Sequence, residues 1–433
     1  MPGPAPGADA QGLPLALFVL TRDPTGRLSG RKSVLATAAA SIERSGMRVE
    51  AVVLSRNAPA ATWLGRRLHH VALPGHARIV GSAARVLATG QGSLNESLFD
   101  SPRVRRQTAA VAHVRAAQFL VADGLRTAGP SMAAGRPVLV HLDDLLSDRY
   151  ASPASLQGNP LGFFSEQVPR VLRWPAQRVA GLLLHGEARR ADARERAITR
   201  GAAVVAMTSR AEADELSRRT GRAVSVLPMA VDARAAGDPA GADPCSFVFL
   251  GVLDYAPNMA ALQWWQHAVR PALDAAGGND IRLTVVGHRT GDALPADPRI
   301  GYTGYVEDLG AELRRHRAMV VPVRDGAGVK TKVLDGWSVG LPSVTTPNGA
   351  AGLTGDDGVL VGDDPGLFAR HVLSLRDDAD LARRTGAAGR AVLVREWSAD
   401  ALAQRWAAAI APLRDRREPG SHPPPSRPGG PGA

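Results

Sequence analysis

The residues of this chain that are best suited to chemistry form a short stretch in its C-terminal half, where an apolar run leads into glycines, lysines and an aspartate. In chain order these are Gly326, Gly328, Lys330, Lys332 and Asp335. Glycines let the backbone approach a ligand closely, and the N-terminus of the helix predicted over 329–339 offers N–H groups to an anion. Lysine ammonium groups can reach a diphosphate, and a carboxylate one turn later can accept hydrogen bonds from ribose hydroxyls. The stretch therefore predicts a site for a nucleoside diphosphate.

Lysine usage supports this interpretation, because lysine is rare in the chain. Three of the 52 basic residues are lysines and the other 49 are arginines, yet two of the three lie in this stretch. The third, Lys32, follows Gly30 and Arg31 in another glycine-rich turn, directly after the first predicted strand. Ligands of open α/β sheets bind at the carboxyl ends of strands, where both loops lie. We therefore predict Gly30, Arg31 and Lys32 as an acceptor or phosphate loop, with chance placement as the alternative.

A second group of candidates follows the strand predicted over 137–142. His141 and Asp144 would lie at the carboxyl end of that strand and face a cleft, where an imidazole or a carboxylate could orient or deprotonate an acceptor hydroxyl. We predict both as catalytic residues. The alternative is structural, because Asp144 and Ser147 have the residue types that commonly cap the next helix.

Several other kinds of chemistry are disfavoured by the sequence. The Gly-Ala-Gly loop lacks the third glycine of a dinucleotide fingerprint and the spacing of a Walker loop, and no Gly-x-Ser-x-Gly elbow is present. The single cysteine, Cys245, excludes a cysteine cluster, and the histidines show no metal-binding spacing. We predict neither a metal nor a cofactor.

The elements that must position these residues form two series. Short apolar runs bounded by Gly or Pro alternate with longer stretches of helical period, which is typical of βαβ units on parallel sheets. In the N-terminal half, strands are predicted over 15–20, 49–54, 137–142, 204–208 and 224–228. In the C-terminal half, they are predicted over 246–250, 282–286, 300–302, 319–323 and 342–345. The predicted fold class is α/β, with two Rossmann-like domains that face a cleft.

The 433 residues divide accordingly. We predict the following division: disordered residues 1–12, an N-terminal acceptor domain over 13–235, a linker over 236–244, a C-terminal donor domain over 245–395, a helix over 396–414 that crosses back to the first domain, and a disordered Pro/Gly-rich tail over 415–433. Within the last helical segment, residues 398–413 have a helical pattern that Ser398 would cap.

The net charge of +11 belongs to one half of the chain. Residues 1–240 hold 31 basic and 19 acidic residues, so the N-terminal domain is the one expected to face something anionic, such as a lipid headgroup or a charged acceptor. A solvated basic surface is the alternative. Nucleic acid is disfavoured as a partner, since aromatic residues make up only 4% and no binding module is visible. No signal peptide or membrane-spanning run is visible, so we expect a cytoplasmic protein, with peripheral contact at the inner face of the membrane left open.

The C-terminal half resembles the donor domain of the group 1 glycosyltransferases of the GT-B fold, in their glycine-rich donor-loop subgroup. The resemblance covers roughly residues 246–400 and rests on the following motifs in order: Phe249-Leu250-Gly251, Asp254-Tyr255-Ala256-Pro257-Asn258, Val285-Val286-Gly287, Thr303-Gly304-Tyr305-Val306, Val321-Pro322, Gly326–Asp335 and Gly340-Leu341-Pro342. The N-terminal half agrees more loosely, through residues 141–150, 205–215 and 227–232.

The resemblance implies a function and assigns roles. It implies that Lys330 and Lys332 hold the diphosphate of a nucleotide sugar, a co-substrate rather than a cofactor, and that Asp335 holds its ribose. It also implies transfer of a hexose with retention to a glycan, a lipid-linked acceptor or a small molecule, in the synthesis of surface polysaccharide or glycoconjugate. The base, the sugar, the acceptor and the oligomeric state are not determined by the sequence.

The chain departs from the family pattern at four positions. Asp335 stands where the family usually has a glutamate, Ala327 where many members have a second glutamate, Ala351 where similar sequences often have an acidic residue, and His141 where the subgroup tends to have an aspartate. These departures leave a second hypothesis open, a catalytically silent nucleotide-binding or scaffold protein of the same fold. An epimerase of this fold is disfavoured, because its acidic and histidine pairs cannot be assembled here.

Overall fold

The computed structural model describes residues 12–25, 30–90, 92–151, 173–288, 297–326, 328–353 and 358–414, and these form two β-sheets. The first sheet has the order β3-β4-β2-β1-β5-β6-β7-β8, and the second has the order β11-β10-β9-β12-β13-β14. Strands of the first are β1 (Leu15–Leu20), β2 (Arg48–Ser55), β3 (Thr62–Trp63), β4 (Arg66–Ala72), β5 (Ala117–Asp123), β6 (Val138–Leu142), β7 (Val204–Met207) and β8 (Ser225–Val226). Strands of the second are β9 (Asp243–Leu250), β10 (Arg282–Val286), β11 (Ile300–Gly304), β12 (His316–Val321), β13 (Ser343–Thr345) and β14 (Val359–Val361).

Helices cover the faces of both sheets. On the first sheet they are α1 (Arg31–Arg44), α2 (His76–Thr89), α3 (Leu94–Ser97), α4 (Pro102–Val114), α5 (Leu125–Met132), α6 (Leu146–Ala151), α7 (Arg173–Gly201) and α8 (Arg210–Thr220). On the second they are α9 (Ala256–Trp264), a π-helical turn (Trp265–Val269), α10 (Arg270–Ala275), α11 (Leu309–Leu313), α12 (Thr331–Ser338), α13 (Pro347–Ala350), α14 (Pro365–Asp377) and α15 (Ala379–Glu396). The last helix is α16 (Ala399–Arg414).

The two sheets explain the apolar runs of the sequence. Among the described residues, every strand pair is parallel except β3 with β4, and parallel strands are buried on both faces by the helices that connect them. All six residues of β1 are buried, as are all six of β12. Each sheet has its own core, and this arrangement confirms the α/β class with two Rossmann-like units.

Four strands are absent from the sequence prediction, namely β3, β4, β5 and β14. The reason is clearest for β5, which follows α4 after a turn of two residues without Gly or Pro. Ala116 takes the left-handed conformation there, with φ of 50°, where glycine is the expected residue. Strand β4 carries adjacent polar side chains, including His69 and His70, and therefore lacks an apolar run, and three-residue β14 is too short for a pattern.

Two boundaries in the structure differ from the predicted ones. Strand β9 begins at Asp243, which pairs in the ladder with His316 of β12, so the predicted linker over 236–244 and the domain start at 245 overlap a strand. Helix α12 begins at Thr331 rather than at residue 329, and Lys330 occupies its N-cap position. Lys330 therefore belongs to the loop, which lets its side chain fold back over the glycines.

The C-terminal helix α16 returns to the first sheet. Trp406 and Ile410 are fully buried in the core of the N-terminal unit, together with residues of β1 and β5. Asp400 forms an ion pair of 2.8 Å with Arg44 of α1, and Ser398 Oγ accepts a hydrogen bond from the N–H of Ala401 at the start of the helix. The predictions of disorder concern residues that, apart from Gly12, lie outside the described ones.

Candidate functional site

The glycine-rich loop lies between the carboxyl end of β12 and helix α12, with its central residue Ala327 outside the described residues. Gly326 and Gly328 have φ of 103° and 76°, backbone conformations that side chains with a Cβ rarely adopt. Asn348 donates a hydrogen bond of 3.2 Å from Nδ2 to the carbonyl oxygen of Gly326. The glycines thus give the loop a shape that other residues would strain, and α12 points its N-terminus toward that loop.

Lys330 is bound to this loop. Its Nζ donates to the carbonyl oxygens of Gly326, at 2.8 Å, and of Gly328, at 2.9 Å. Burial lowers the pKa of the Lys330 ammonium, and attraction to the carboxylate of Glu212, from the other domain, partly offsets that effect. The ammonium therefore organises the loop and lies within electrostatic reach of the N-terminal domain.

Lys332 is the most perturbed cation of the site. Its Nζ donates to Asn258 Oδ1 at 2.7 Å and lies 4.3 Å from the centre of the Phe249 ring. Burial lowers its pKa to about 7, with repulsion from Lys330 adding to the shift. Near neutral pH, about half of the molecules carry Lys332 as an uncharged amine, beside a neutral amide and an aromatic ring. A bound anion would stabilise the charged form of this lysine.

Asp335 lies one turn beyond Lys332 on the same face of α12, with its side chain 24% exposed. Desolvation raises its pKa to about 6, opposed by the positive charges of Arg234 and Lys332. Arg234 reaches it across 3.8 Å. Arg234 belongs to the segment between the two sheets, and its N–H donates to the carbonyl of Ser338 at the end of α12. The structure thus brings Lys330, Lys332 and Asp335 together at one end of the second sheet.

Asp144 lies at the carboxyl end of β6 in the N-terminal unit. Its carboxylate forms an ion pair with Arg149, and its side chain is 10% exposed. Burial raises the pKa of Asp144, repulsion from Asp143 adds to that effect, and the neighbouring arginines oppose it. Ser147, the other residue with a capping alternative, donates from Oγ to Glu195 Oε2 at 2.6 Å. Asp144 lines a cavity of about 100 Å³ and so remains available to a ligand.

The predicted catalytic role of His141 is wrong in this structure. The residue is 1% exposed, its Nε2 is 2.7 Å from the carbonyl oxygen of Leu227, and its ring packs against Trp406 with centroids 5.5 Å apart. Burial holds the pKa of His141 well below its ordinary value, and repulsion from Arg31 acts in the same direction. The side chain points into the interface with α16, because the pleat of β6 places residue 141 on the covered face. It is a core residue.

Replacing His141 by glutamine is expected to lower the free energy of unfolding by about 1–2 kcal/mol, from loss of its hydrogen bond and ring packing. Because the neutral imidazole is preferred in the folded state, the unfolded state binds the extra proton, and the stability of the parent rises with pH through about 5 to 7. The difference in stability between parent and H141Q should therefore grow over that range in urea titrations. Unchanged nucleotide affinity is the control, and a H141Q variant that loses nucleotide binding would contradict the structural role.

The basic side chains of the predicted acceptor or phosphate loop make contacts within the protein. Gly30 precedes α1 with φ of 47°, and Lys32 Nζ donates to the carbonyl oxygen of Thr25 at 2.5 Å. Arg31 forms an ion pair of 2.6 Å with Asp123 and donates to the carbonyl oxygen of His141 at 2.9 Å. Residues 26–29 lie outside the described ones. Arg31 lines the same cavity as Asp144, whereas Lys32 serves to hold the turn.

Sequence analysis missed Glu212, which lies in the first turn of α8. Its Oε1 accepts a hydrogen bond of 3.2 Å from the N–H of Leu145, and its buried Oε2 has no hydrogen-bond partner among the described residues. Desolvation raises its pKa to about 6, with repulsion from Asp144 adding to the shift. Glu212 thus interacts electrostatically with both Asp144 and Lys330. The signal was present in the stretch 205–215, whose first acidic residue after a strand is Glu212.

Two kinds of feature are not found in the part of the chain that the structure describes. No group of three or more His, Cys, Asp or Glu side chains is arranged to hold a metal ion within those residues. Among the same residues, no helix has the length and apolar character needed to cross a membrane.

Comparison with known sequences identifies the C-terminal unit. Residues 244–378 match the family model described as glycosyl transferases group 1. A protein of Klebsiella pneumoniae, described as an uncharacterized 44.6 kDa protein in the cps region, is 28% identical over 143 residues. That match covers 30% of this chain and 37% of the length of the relative.

Solved structures share the fold over nearly the whole chain. Sucrose-phosphate synthase from Thermosynechococcus elongatus has a TM-score of 0.59 at 14% identity, over 91% of this chain and 97% of that one. Anabaena HepE, solved in complex with UDP-glucose, has a TM-score of 0.54 at 15% identity, over 92% of this chain and 99% of that one. At these identities the likeness concerns the fold.

Proposed function

We propose that this chain is a glycosyltransferase that moves a hexose from a nucleotide-diphosphate donor to an acceptor held by its N-terminal domain. The match of residues 244–378 to the model of the group 1 glycosyl transferases and the fold shared with solved structures support the proposal. The observation that carries the proposal is the meeting of Lys330, Lys332 and Asp335 at the carboxyl end of the second sheet. Open α/β sheets bind their ligands at that edge.

The donor would be held through its two polar parts. The diphosphate fits against the glycine-rich loop and the N-terminus of α12, where Lys330 and Lys332 supply positive charge. The ribose fits beside Asp335, whose carboxylate oxygens accept hydrogen bonds from hydroxyl groups. A cation–π contact, with Lys332 Nζ 4.3 Å from the centre of the Phe249 ring, helps to hold the ammonium in place.

Both domains contribute residues to the proposed transfer step. The bond from the anomeric carbon to the diphosphate oxygen breaks, the acceptor oxygen bonds to that carbon, and the acceptor proton leaves. Charge that develops on the diphosphate is stabilised by the two ammonium groups and by the dipole of α12, which are in place before reaction. In the N-terminal domain, Asp144 orients the acceptor hydroxyl, and burial, which raises the pKa of its carboxyl group, makes it a stronger proton acceptor than an exposed aspartate.

The proposal extends to the donor and to the biological setting. HepE is solved with UDP-glucose, and the Klebsiella relative is described by its place in the cps region, so we propose UDP-hexose as donor and surface polysaccharide or glycoconjugate synthesis as setting. We further propose a retaining outcome, in line with the family resemblance. The basic N-terminal half is consistent with a cytoplasmic protein that contacts the inner face of a membrane.

Calorimetry with UDP, GDP and ADP, followed by diphosphate release from the matching nucleotide sugars over an acceptor panel, tests the proposal. We expect one base to bind more tightly than the others, and an acceptor to accelerate release. Failure of all three nucleotides to bind would contradict the donor site. Binding without release over every acceptor would instead favour the catalytically silent protein of the same fold.

The ribose contact is tested by replacing Asp335 with alanine. Because a charged hydrogen bond contributes about 1.5–3 kcal/mol, the variant should bind the preferred nucleoside diphosphate about tenfold or more weakly. The same diphosphate lacking the ribose hydroxyls should bind parent and variant alike in calorimetry. D363N, at an exposed aspartate of the same domain, serves as control. An equal loss for both ligands would show that Asp335 acts on the loop and not on the ribose.

A further inference from the structure

The first turn of helix α8, in the N-terminal domain, lies next to the glycine-rich loop of the C-terminal domain. Ser209, the N-cap residue of α8, is buried, and its Oγ lies 3.6 Å from the point that a Cβ of Gly352 would occupy. The same point lies 3.0 Å from Cγ2 of Val329, the residue before Lys330. A side chain in the first turn of α8 can therefore reach the space around Lys330.

Glu212 lies in this first turn, at a position where a glutamate ordinarily serves its own helix. Residues 209–212, Ser-Arg-Ala-Glu, have the spacing of a capping box, in which the glutamate accepts a hydrogen bond from the N–H of the serine. In the structure Glu212 Oε1 accepts instead from the N–H of Leu145, at 3.2 Å, and Ser209 makes no side-chain cap. Leu145 directly follows Asp144, so the carboxylate is fixed beside the carboxyl end of β6.

The second carboxylate oxygen of Glu212, Oε2, is buried and has no hydrogen-bond partner in the part of the chain that the structure describes. Burial raises the pKa of Glu212 to about 6, the hydrogen bond from Leu145 opposes this shift, and repulsion from Asp144 adds to it. The carboxyl group is therefore mostly ionised at neutral pH. A buried charged oxygen without a hydrogen-bond donor is costly, so Oε2 is suited to accept a hydrogen bond from a ligand that enters the cleft.

The charges around the glycine-rich loop follow the order of the parts of a nucleotide sugar. Asp335 and Lys332 attract each other, Lys332 and Lys330 repel each other, and Lys330 and Glu212 attract each other. The proposed donor has the matching order of ribose, two phosphates and hexose. With the ribose at Asp335 and the diphosphate at the two lysines, the hexose would extend toward Glu212. A carboxylate repels phosphate oxygens but accepts hydrogen bonds from hydroxyl groups, so the hexose is the part that suits Glu212.

We propose that Glu212 Oε2 accepts a hydrogen bond from a hydroxyl group of the donor hexose. This inference rests on the proposed function, since the hexose is placed by the diphosphate to which it is bonded. Glu212 is then a specificity-determining residue of the N-terminal domain. A nucleotide sugar engages both domains, whereas a nucleoside diphosphate binds mainly to the C-terminal one. Acceptor sugars also carry hydroxyl groups, so the test is made without an acceptor.

The probes are the nucleoside diphosphate that binds best among UDP, GDP and ADP, and the glucose conjugate of the same nucleotide. In calorimetry, E212Q should bind the conjugate about tenfold or more weakly than the parent, because a hydrogen bond to a charged group is lost. Glutamine can keep the hydrogen bond from Leu145 through its amide oxygen and places an NH₂ group where Oε2 was. The free nucleoside diphosphate should bind E212Q as tightly as the parent, or slightly more tightly, since a negative charge near Lys330 is removed.

The matched control is D214N, which removes the same charge from an exposed position of α8 and should leave both affinities unchanged. A second measurement uses conjugates of glucose that each lack one hydroxyl group. The parent should bind one of them about tenfold more weakly than the glucose conjugate, and E212Q should bind these two alike. The parent's part of this measurement tests the proposal even if E212Q does not fold.

Three results would overturn the role of Glu212 while leaving the donor site standing. They are equal affinity of parent and E212Q for the glucose conjugate, an equal loss for the conjugate and the free nucleoside diphosphate, and equal affinity of the parent for every conjugate that lacks a hydroxyl group. If the parent binds none of the three nucleoside diphosphates, the proposed function fails, and the role of Glu212 fails with it.

Discussion

Replacing Lys330 and Lys332 together by glutamine is expected to weaken binding of the preferred nucleoside diphosphate by at least about a hundredfold. Each ammonium would make charge-assisted hydrogen bonds to phosphate oxygens, and such a bond contributes about 1.5–3 kcal/mol, so the pair contributes about 3–6 kcal/mol. Glutamine keeps much of the length and can still donate to the loop carbonyls that Lys330 binds. Calorimetry on parent and double variant measures the loss.

The chain supplies its own matched control, because its remaining lysine lies in the other domain. K32Q removes one positive charge, as each of the single variants K330Q and K332Q does, and it removes the contact of Lys32 with the Thr25 carbonyl in the N-terminal domain. It should leave the nucleotide dissociation constant unchanged. The single variants K330Q and K332Q separate the roles, and we expect loop organisation to be lost mainly with Lys330. Nucleotide affinity equal to that of the parent in the double variant would show that the diphosphate binds elsewhere.

Much of the donor site could be predicted from the sequence because its information is local. The glycines with positive φ, the lysines two and four positions after the second glycine, and a carboxylate one turn later all lie within ten residues. The central strands were likewise predictable, since parallel strands buried on both faces read as continuous apolar runs, as in β1 and β12. Patterns of this kind can be recognised in the sequence without knowledge of the tertiary contacts.

The acceptor side could not be predicted to the same extent because its information is spread over the chain. Glu212 of helix α8, for example, accepts a hydrogen bond from the N–H of Leu145, which lies 67 residues earlier in the chain and directly follows Asp144. His141 has the residue type of a general base, yet its side chain is covered by α16, more than 250 residues later in the chain. A single strand position cannot reveal which face a remote helix will cover.

Nucleotide affinity should fall as the pH rises above 7, because the pKa of Lys332 is about 7 in the nucleotide-free protein. A diphosphate favours the ammonium form, and the fraction of protein that already carries it decreases about fiftyfold between pH 7 and pH 9. The phosphate itself, with a second pKa near 6, keeps its charge over this range. Affinity should therefore fall by a factor of roughly 50, and calorimetry in two buffers of different ionisation enthalpy should show uptake of nearly one proton per nucleotide at pH 8.

The K332R variant isolates this effect from the other titrating groups. A guanidinium stays charged throughout, so proton uptake should vanish and affinity should be nearly constant from pH 7 to pH 9. Asp335, with a pKa of about 6, is ionised over that range in both proteins. Protein stability gives a second readout. In the unfolded chain Lys332 stays protonated up to about pH 10.4, whereas in the folded protein it loses its proton above about pH 7. The free energy of unfolding of the parent should therefore rise with pH above 7, relative to that of K332M. Proton uptake that persists in K332R would assign the titration to Lys330, which lies on the same loop.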